Sequence, residues 1–404
     1  MSDQSSGAPH LTQVIADVVA KYDAELIDLR RDLHAHPELS WAEARTTERV
    51  GQWIERAGWS LTHLPPTGLF ADIGPDADNG PVVALRADMD ALPVQDVSGE
   101  PWASTVPGVA HACGHDVHTA SLVGAALALG ELHERGDLPG RVRLIFQPAE
   151  EVMPGGAKLV IAQGALEGVA RVFALHCDPA VDVGKVGVRS GALTSAADKI
   201  EVHLKGTGGH TSRPHLTGDL TFALAKVTSE LPAVLSRRMD PRAGVSVVWG
   251  MLHAGSAANV IPDQGIVAGT VRILDADAWA RCEPIIRAAV HDIVRPYEVT
   301  ATVHYLQGVP PVVNDAGSNA HLAAAVRSVL GASGQTGVPQ SLGGEDFGWY
   351  VEHIPGAMFR LGTRTPGGPT YDLHQGNLRV DERAIAIGAR VLAEVAVHAL
   401  VTAR

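Results

Sequence analysis

The sequence predicts an α/β protein. Its main body is a mixed, mostly parallel sheet with helices on both faces, interrupted by a smaller α+β domain. Two observations carry this. Continuous apolar runs of strand length alternate with helical segments over residues 1–189 and again over 303–404, as in a sheet buried on both sides. Between them, over 190–302, the order becomes strand, helix, strand, strand, helix, strand with alternating apolar and polar positions. That is the βαββαβ pattern of a two-layer, ferredoxin-like unit.

In chain order, Val14, Val18, Leu26, Leu29 and Leu33 recur at helical spacing within Leu11 to Leu33, and Glu43 to Ala57 reads as a second helix stopped by Gly58. Gly68 to Ile73 and the run PVVALR (Pro81 to Arg86) read as strands, followed by an apolar helix around Ala120 to Leu129. RVRLIF (Arg141 to Phe146) and ARVFAL (Ala170 to Leu175) are further buried strands flanking a helix at Gly156 to Gln163. The insertion supplies strands at Lys199 to Lys205, Gly244 to Leu252, Ile266 to Ile273 and Val299 to Tyr305, with helices at Leu220 to Leu235 and Asp277 to Val294. The main pattern then resumes with a helix at Ala316 to Leu330, a strand at Ala357 to Leu361 and an amphipathic helix at Glu382 to Val401.

Composition narrows the class. The 404 residues are 46% hydrophobic, enough for two domains with sizeable cores. No apolar run approaches the roughly 20 residues that span a bilayer. Met1 to Pro9 lacks a basic region followed by an apolar core, so no signal peptide is expected. A formal net charge of −13 argues against nucleic acid and anionic membranes as partners. The three cysteines (Cys113, Cys177, Cys282) form no disulfide framework, which points to a reducing cytoplasm.

The polar groups fall where open α/β sheets bind ligands, at the carboxyl ends of strands. Asp88 and Asp90 follow PVVALR, Glu150 and Glu151 follow RVRLIF, His176 follows ARVFAL, and His374 lies in the loop after AMFRLG. Cys113 and His115 open a helix in the stretch HACGHDVHT. Each residue alone has an ordinary reading as a turn, core or surface group. Together, Cys113, His115, Glu151, His176 and His374 offer more donors than one zinc ion takes and suit two divalent metals. The adjacent Glu150 suits a base that takes the proton of a nucleophilic water. His111 and His118 read as supporting residues. In the insertion, GGHTSRPH (208–215) is a glycine-rich turn unless it brings His210 to a substrate as a hydrogen-bond donor. Asn259 and Arg272 are unremarkable on their own.

RADMDALP (86–93), HACGHDVHT (111–119), QPAEE (147–151), GGHTSRPH, GGEDF (343–347) and the late His374 resemble the metallo-aminoacylases related to hippurate hydrolase and indole-acetyl-amino-acid hydrolases, a branch of the aminoacylase/carboxypeptidase metallopeptidases. The similarity runs from RRDLHAHPELS (30–40) to the last helix. It implies a two-metal centre of zinc or manganese, with cobalt possible, held by Cys113, His115, Glu151, His176 and His374. It implies Glu150 as general base and Asp90 as an acid supporting the site. The insertion would be a lid and dimerisation domain. His210 matches a histidine that reaches a partner subunit's site, and Asn259 and Arg272 match positions that hold the substrate's carboxylate. Two departures matter. Cys113 stands where the carboxypeptidase and deacylase relatives use a carboxylate, and Gln375-Gly376-Asn377-Leu378 replaces a small residue and proline after His374.

The expected activity is hydrolysis of N-acyl amino acids by a cytoplasmic homodimer. A dipeptidase or carboxypeptidase using the same centre is the nearest alternative. A metal- or ligand-binding protein without catalysis is a further one, and the Glu150–Glu151 pair argues against it.

Overall fold

The computed structural model describes residues 9–75 and 80–402. Helices α1 (Pro9–Ala35) and α2 (Ala44–Arg56) precede strands β1 (Leu61–His63), β2 (Leu69–Ile73) and β3 (Val82–Asp88). Helix α3 (His115–Glu134), β4 (Arg141–Gln147), α4 (Ala157–Ala162) and β5 (Val169–Asp182) follow, then the short β6 (Val186–Gly187) and β7 (Gly191–Ala192). Next come β8 (Ala196–Lys205), β9 (Gly209–His210), α5 (Leu220–Arg238), β10 (Ser246–Ala254), β11 (Val260–Ile261), β12 (Gln264–Ile273), α6 (Ala276–Val294) and β13 (Thr300–Val309). The chain ends with β14 (Val313–Asn314), α7 (Ala316–Leu330), β15 (Gln335–Thr336), α8 (Phe347–His353), β16 (Gly356–Arg364) and α9 (Arg383–Thr402).

Two compact units result. The larger takes the chain as far as Leu193, Val313–Pro339 and the part from Trp349 on; the smaller takes Thr194–Val312 and Gln340–Gly348. This corrects the expected 190–302 boundary in two places. Residues 300–309 form one complete strand of the smaller sheet, so a cut at 302 would divide it. Residues 340–348 also belong to that unit. Gln340 donates to the carbonyls of Thr194 and Leu274 at 2.9 and 3.0 Å, and Ser195 and Arg272 both donate to Leu342 O at 2.7 Å.

The larger unit is built on an eight-stranded mixed sheet ordered β1-β2-β4-β3-β5-β16-β6-β15. The central strands β4, β3, β5 and β16 run parallel, with antiparallel β1 and β2 at one edge. Alternation across the pleat divides the central strands into two sets. Val83, Leu85, Phe146, Phe173, Leu175 and Phe359 join α1, α3, α7 and α9 in one apolar core. Arg86, Gln147, His176 and Arg360 occupy the intervening positions and so point to the opposite face.

Helix α9 departs from the amphipathic reading. It is buried on nearly all sides against α1, α3 and α7, as a central helix must be. By length and composition it is also apolar enough to cross a membrane, and most of it is buried in the core. Strand β5 also runs further than expected, through His176 to Asp182. His176 therefore sits within a strand rather than after one.

The smaller unit is a four-stranded antiparallel sheet ordered β10-β12-β8-β13, with α5 and α6 packed together. Ile200, Val202 and Leu204 are buried while Lys199, His203 and Lys205 are exposed, the alternation of a sheet covered on one face. The buried Asp198 ties three elements together. It accepts from Trp279 Nε1 on α6 at 3.0 and 2.9 Å, from Gly308 N at 2.8 Å and from the Tyr305 hydroxyl. Asp219 and Asp275 cap α5 and α6 through the amides of Phe222 and Ala278.

Candidate metal centre

The centre begins at the entrance to α3. Gly114 has φ 87, the left-handed turn that lets the chain swing from Cys113 into a helix whose first residue is His115. A Cβ there would lie 2.9 Å from Cys177 Sγ, so space as well as conformation demands glycine. Asp116 fixes the turn from behind, at 2.8 Å from Arg30 Nε and 2.7 Å from His34 Nδ1 on α1.

Hydrogen bonds settle the histidine tautomers. His115 Nδ1 lies 2.9 Å from the Asp90 carbonyl, which can only accept, so Nδ1 carries a proton and Nε2 faces the cluster. His176 Nδ1 donates in the same way to Cys177 O at 2.7 Å, and its Nε2 sits 3.6 Å from Cys113 Sγ. His118 differs. Its Nε2 accepts from Cys177 N at 2.8 Å, so its Nδ1 is the proton-bearing nitrogen, 2.5 Å from Asp88 Oδ1. Both ring nitrogens are committed, which leaves His118 a supporting role. His111 is buried outside the donor groups, 6.3 Å from the His34 ring.

The QPAEE turn delivers the carboxylates. The amides of Glu150 and Glu151 donate to the two oxygens of Asp90 at 3.0 and 2.9 Å, and Ser40 adds a bond of 2.7 Å. Glu151 Oε1 then lies 3.8 Å from His115 Nε2 and 3.4 Å from His374 Nε2, the latter not aligned as a hydrogen bond. Glu150 Oε2 lies 4.0 Å from His115 Nε2. His374 has φ 63 and is half exposed; its amide bonds to Ala112 O at 2.7 Å, beside the cysteine.

All five expected metal ligands therefore converge in the larger unit. Cys113, His115 and His176 form one group of donor atoms within 4.8 Å of one another; Cys113, Glu151 and His374 form a second, and His115, Glu150 and Glu151 a third. Two further residues stand behind them, and only Glu43 has no place in the sequence reading of the site. Asp88, the strand-end acid that also has a reading as a turn residue, is 3.6 Å from His115 Nε2 and 2.7 Å from the buried Arg86. Glu43 bonds to the amide of Ala149. Ala149 is too far from Glu43 in the chain for any local pattern to mark the pair.

The electrostatics ask for a cation. Burial pushes the Cys113 thiol well up, and Glu151, Glu150 and Asp88 push it further. Burial opposes charge on His115, but Asp88, Asp90 and Glu151 outweigh it and raise its pKa to about 10. Glu151 likewise raises His374. Among the described residues, buried His115 Nε2 and Glu151 Oε1 find no hydrogen-bond partner, an expensive arrangement unless something else binds them. A thiol, three imidazoles and a carboxylate with inward-facing donors fit a soft-to-borderline divalent ion.

The other expected site residues lie in the smaller unit. His210 is on β9, which pairs with β11 so that His210 faces Val260. Asn259 immediately precedes this pair, and its carbonyl accepts from Thr211 N at 3.3 Å. Arg272 is near the far end of β12. About eight residues at roughly 3.3 Å each separate the two ends. The expected shared grip of Asn259 and Arg272 on one carboxylate is therefore not formed within one copy of the unit.

A parallel-centred α/β unit that gathers Cys, His and Glu donors into one cluster fits a metal-dependent enzyme. The chain belongs to the peptidase family M20/M25/M40, whose model matches residues 84–398. An N-acetylcysteine deacetylase of Bacillus subtilis is 38% identical over 94% of this chain and 98% of that protein. A solved dinuclear metal-binding peptidase of the same family, also from Bacillus subtilis, is 35% identical, with a TM-score of 0.82 over 95% of this chain and 99% of that one. A Rhodococcus jostii protein named as a glutamate–cysteine ligase is 48% identical over 92% of this chain, which spans only 46% of that protein's length. The protein is thus a hydrolase acting on amide bonds.

Proposed function

We propose that the protein hydrolyses N-acyl amino acids to a carboxylic acid and a free amino acid at a two-metal centre. The observation that carries this reading is the Asp90-held turn, which sets Glu150 and Glu151 side by side at the edge of the Cys/His cluster. Cys113 lies with His115 and His176 in one donor group and with Glu151 and His374 in another. Cys113, His115, Glu151, His176 and His374 would hold them. Zinc, manganese or cobalt would supply Lewis acidity for the acyl carbonyl and the attacking water.

The chain's own residues do the rest. Glu150 takes the proton of the attacking water and returns it to the departing amine. Asp90 keeps Glu150 and the His115 ring in place. His210 accepts the Ser212 amide at Nδ1, 3.1 Å away; its proton is therefore on Nε2, the right tautomer to donate to the oxyanion. Arg272 and Asn259 would bind substrate carboxylates. Since they stand at opposite ends of the smaller sheet, one substrate would meet Arg272 of one copy and the His210–Asn259 end of another, which supports a homodimer. The buried, free state of all three cysteines supports a cytoplasmic location.

The test is a panel of hippurate, N-acetyl amino acids, long-chain acyl amino acids and dipeptides, assayed with Glu150→Gln beside the parent. We expect turnover of acyl amino acids over dipeptides, and a fall of about 10²- to 10⁴-fold in kcat for Glu150→Gln with metal content unchanged. Preferred cleavage of dipeptides, or Glu150→Gln turning over like the parent, would contradict the proposal.

A further inference from the structure

We infer that Glu43 is a positioning residue for the Glu150–Glu151 pair, acting through the main chain of Ala149. The inference rests on the reading of that pair as base and ligand. Glu43 is fully buried, and its hydrogen bonds come from neutral groups. Oε1 accepts from Ala149 N at 2.8 Å and Trp41 N at 3.0 Å, and Oε2 from Thr67 Oγ1 at 2.6 Å. A carboxylate so placed is costly to bury and must be held by such bonds. Burial accordingly pushes its pKa up.

What Glu43 holds is unusual. Ala149 is a buried alanine with φ 56, a left-handed conformation that costs a non-glycine residue about 1–2 kcal/mol. The next two amides, of Glu150 and Glu151, turn the other way onto Asp90. Three successive N–H groups are thus gripped by two buried carboxylates, a concave backbone arrangement suited to anions. The segment carrying Glu43 also reaches the second carboxylate, since Ser40 donates to Asp90 at 2.7 Å and Glu38 O accepts from Ala91 N at 2.8 Å. Residues 38–43 therefore bracket both anchors of the QPAEE turn. Without Glu43, Ala149 relaxes toward ordinary backbone angles, and the two carboxylates that follow lose their aim.

The test compares Glu43→Ala, Glu43→Gln and the double variant Glu43→Ala/Ala149→Gly in the metal-loaded enzyme. Metal affinity is measured by competition with a chromophoric chelator, alongside kcat, KM and the melting temperature of the metal-free protein. Glu43→Ala should lower metal affinity and kcat by about 10- to 100-fold each with KM nearly unchanged. Glu43→Gln still offers an oxygen to Ala149 N and should restore most of both. The added Ala149→Gly change removes the left-handed penalty and should recover part of both losses. If Glu43→Ala does not fold, Glu43→Asp keeps the charge but shortens the reach, and should show the same losses. A lowered melting temperature with unchanged metal affinity and kcat overturns the inference, as does a Gln variant as impaired as the Ala variant. Metal affinity is read without substrate, so a protein that cleaves no N-acyl amino acid would defeat the proposed function and still test Glu43.

Discussion

Gly114 shows how narrowly single residues are constrained at the centre. Its left-handed φ and the nearby Cys177 Sγ act together. Gly114→Ala should lose about 1–2 kcal/mol through the backbone alone, and should displace Cys113 and His115 from each other. We expect a lower melting temperature and weaker metal binding in chelator competition; metal affinity equal to the parent's would count against this account of the turn. At this scale legibility follows sequence distance. Cys113 and His115 share a helix start, but only beside Glu151, His176 and His374 does the sequence read them as ligands. His118 carries the same side chain three residues on, and in the structure the Cys177 amide at its Nε2 and Asp88 at its Nδ1 commit it elsewhere. Glu43 lies 106 residues from the amide it holds, beyond any local pattern.

Between elements, α1 and α3 are joined by a buried ionic chain of Arg30, Asp116, His34 and Asp96. Burial disfavours charge on His34, but Asp116 and Asp96 outweigh it and raise its pKa. A histidine raised in the folded state contributes stability that is complete below its unfolded pKa of about 6.5 and is lost as pH rises through the raised value. His34→Ala should therefore destabilise the protein by about 3 kcal/mol at pH 6. The gap to the parent should narrow on the alkaline side in melting curves taken across pH, and a gap that widens there would refute this sign. The main strands and helices were legible because apolar runs and helical spacing are local signals. The continuation of β5 was not, because His176, Asp178 and Asp182 break the apolar run while the backbone still pairs with β16. The two-residue strands β6 and β15 are too short to leave a pattern.

At the scale of the whole molecule, the order of elements was enough to expect a βαββαβ insertion, and its sheet has the order that this connectivity produces. The return of residues 340–348 to that unit was hidden, since it depends on side chains bonding to distant carbonyls. The opposite placement of Arg272 and His210 on the smaller unit bears on assembly. Mixing inactive Glu150→Gln with His210→Ala should restore part of the activity if copies exchange and one subunit serves another's site. No recovery after subunit exchange would argue that His210 acts within its own chain. The central claim, that amide hydrolysis depends on divalent ions held by the Cys113–His115–Glu151–His176–His374 cluster, is tested most directly by metal analysis coupled to activity. The protein should carry two divalent ions per chain, lose hydrolysis of N-acyl amino acids when they are chelated, and regain it when zinc, manganese or cobalt is added back. Undiminished hydrolysis by the metal-free protein would contradict the account.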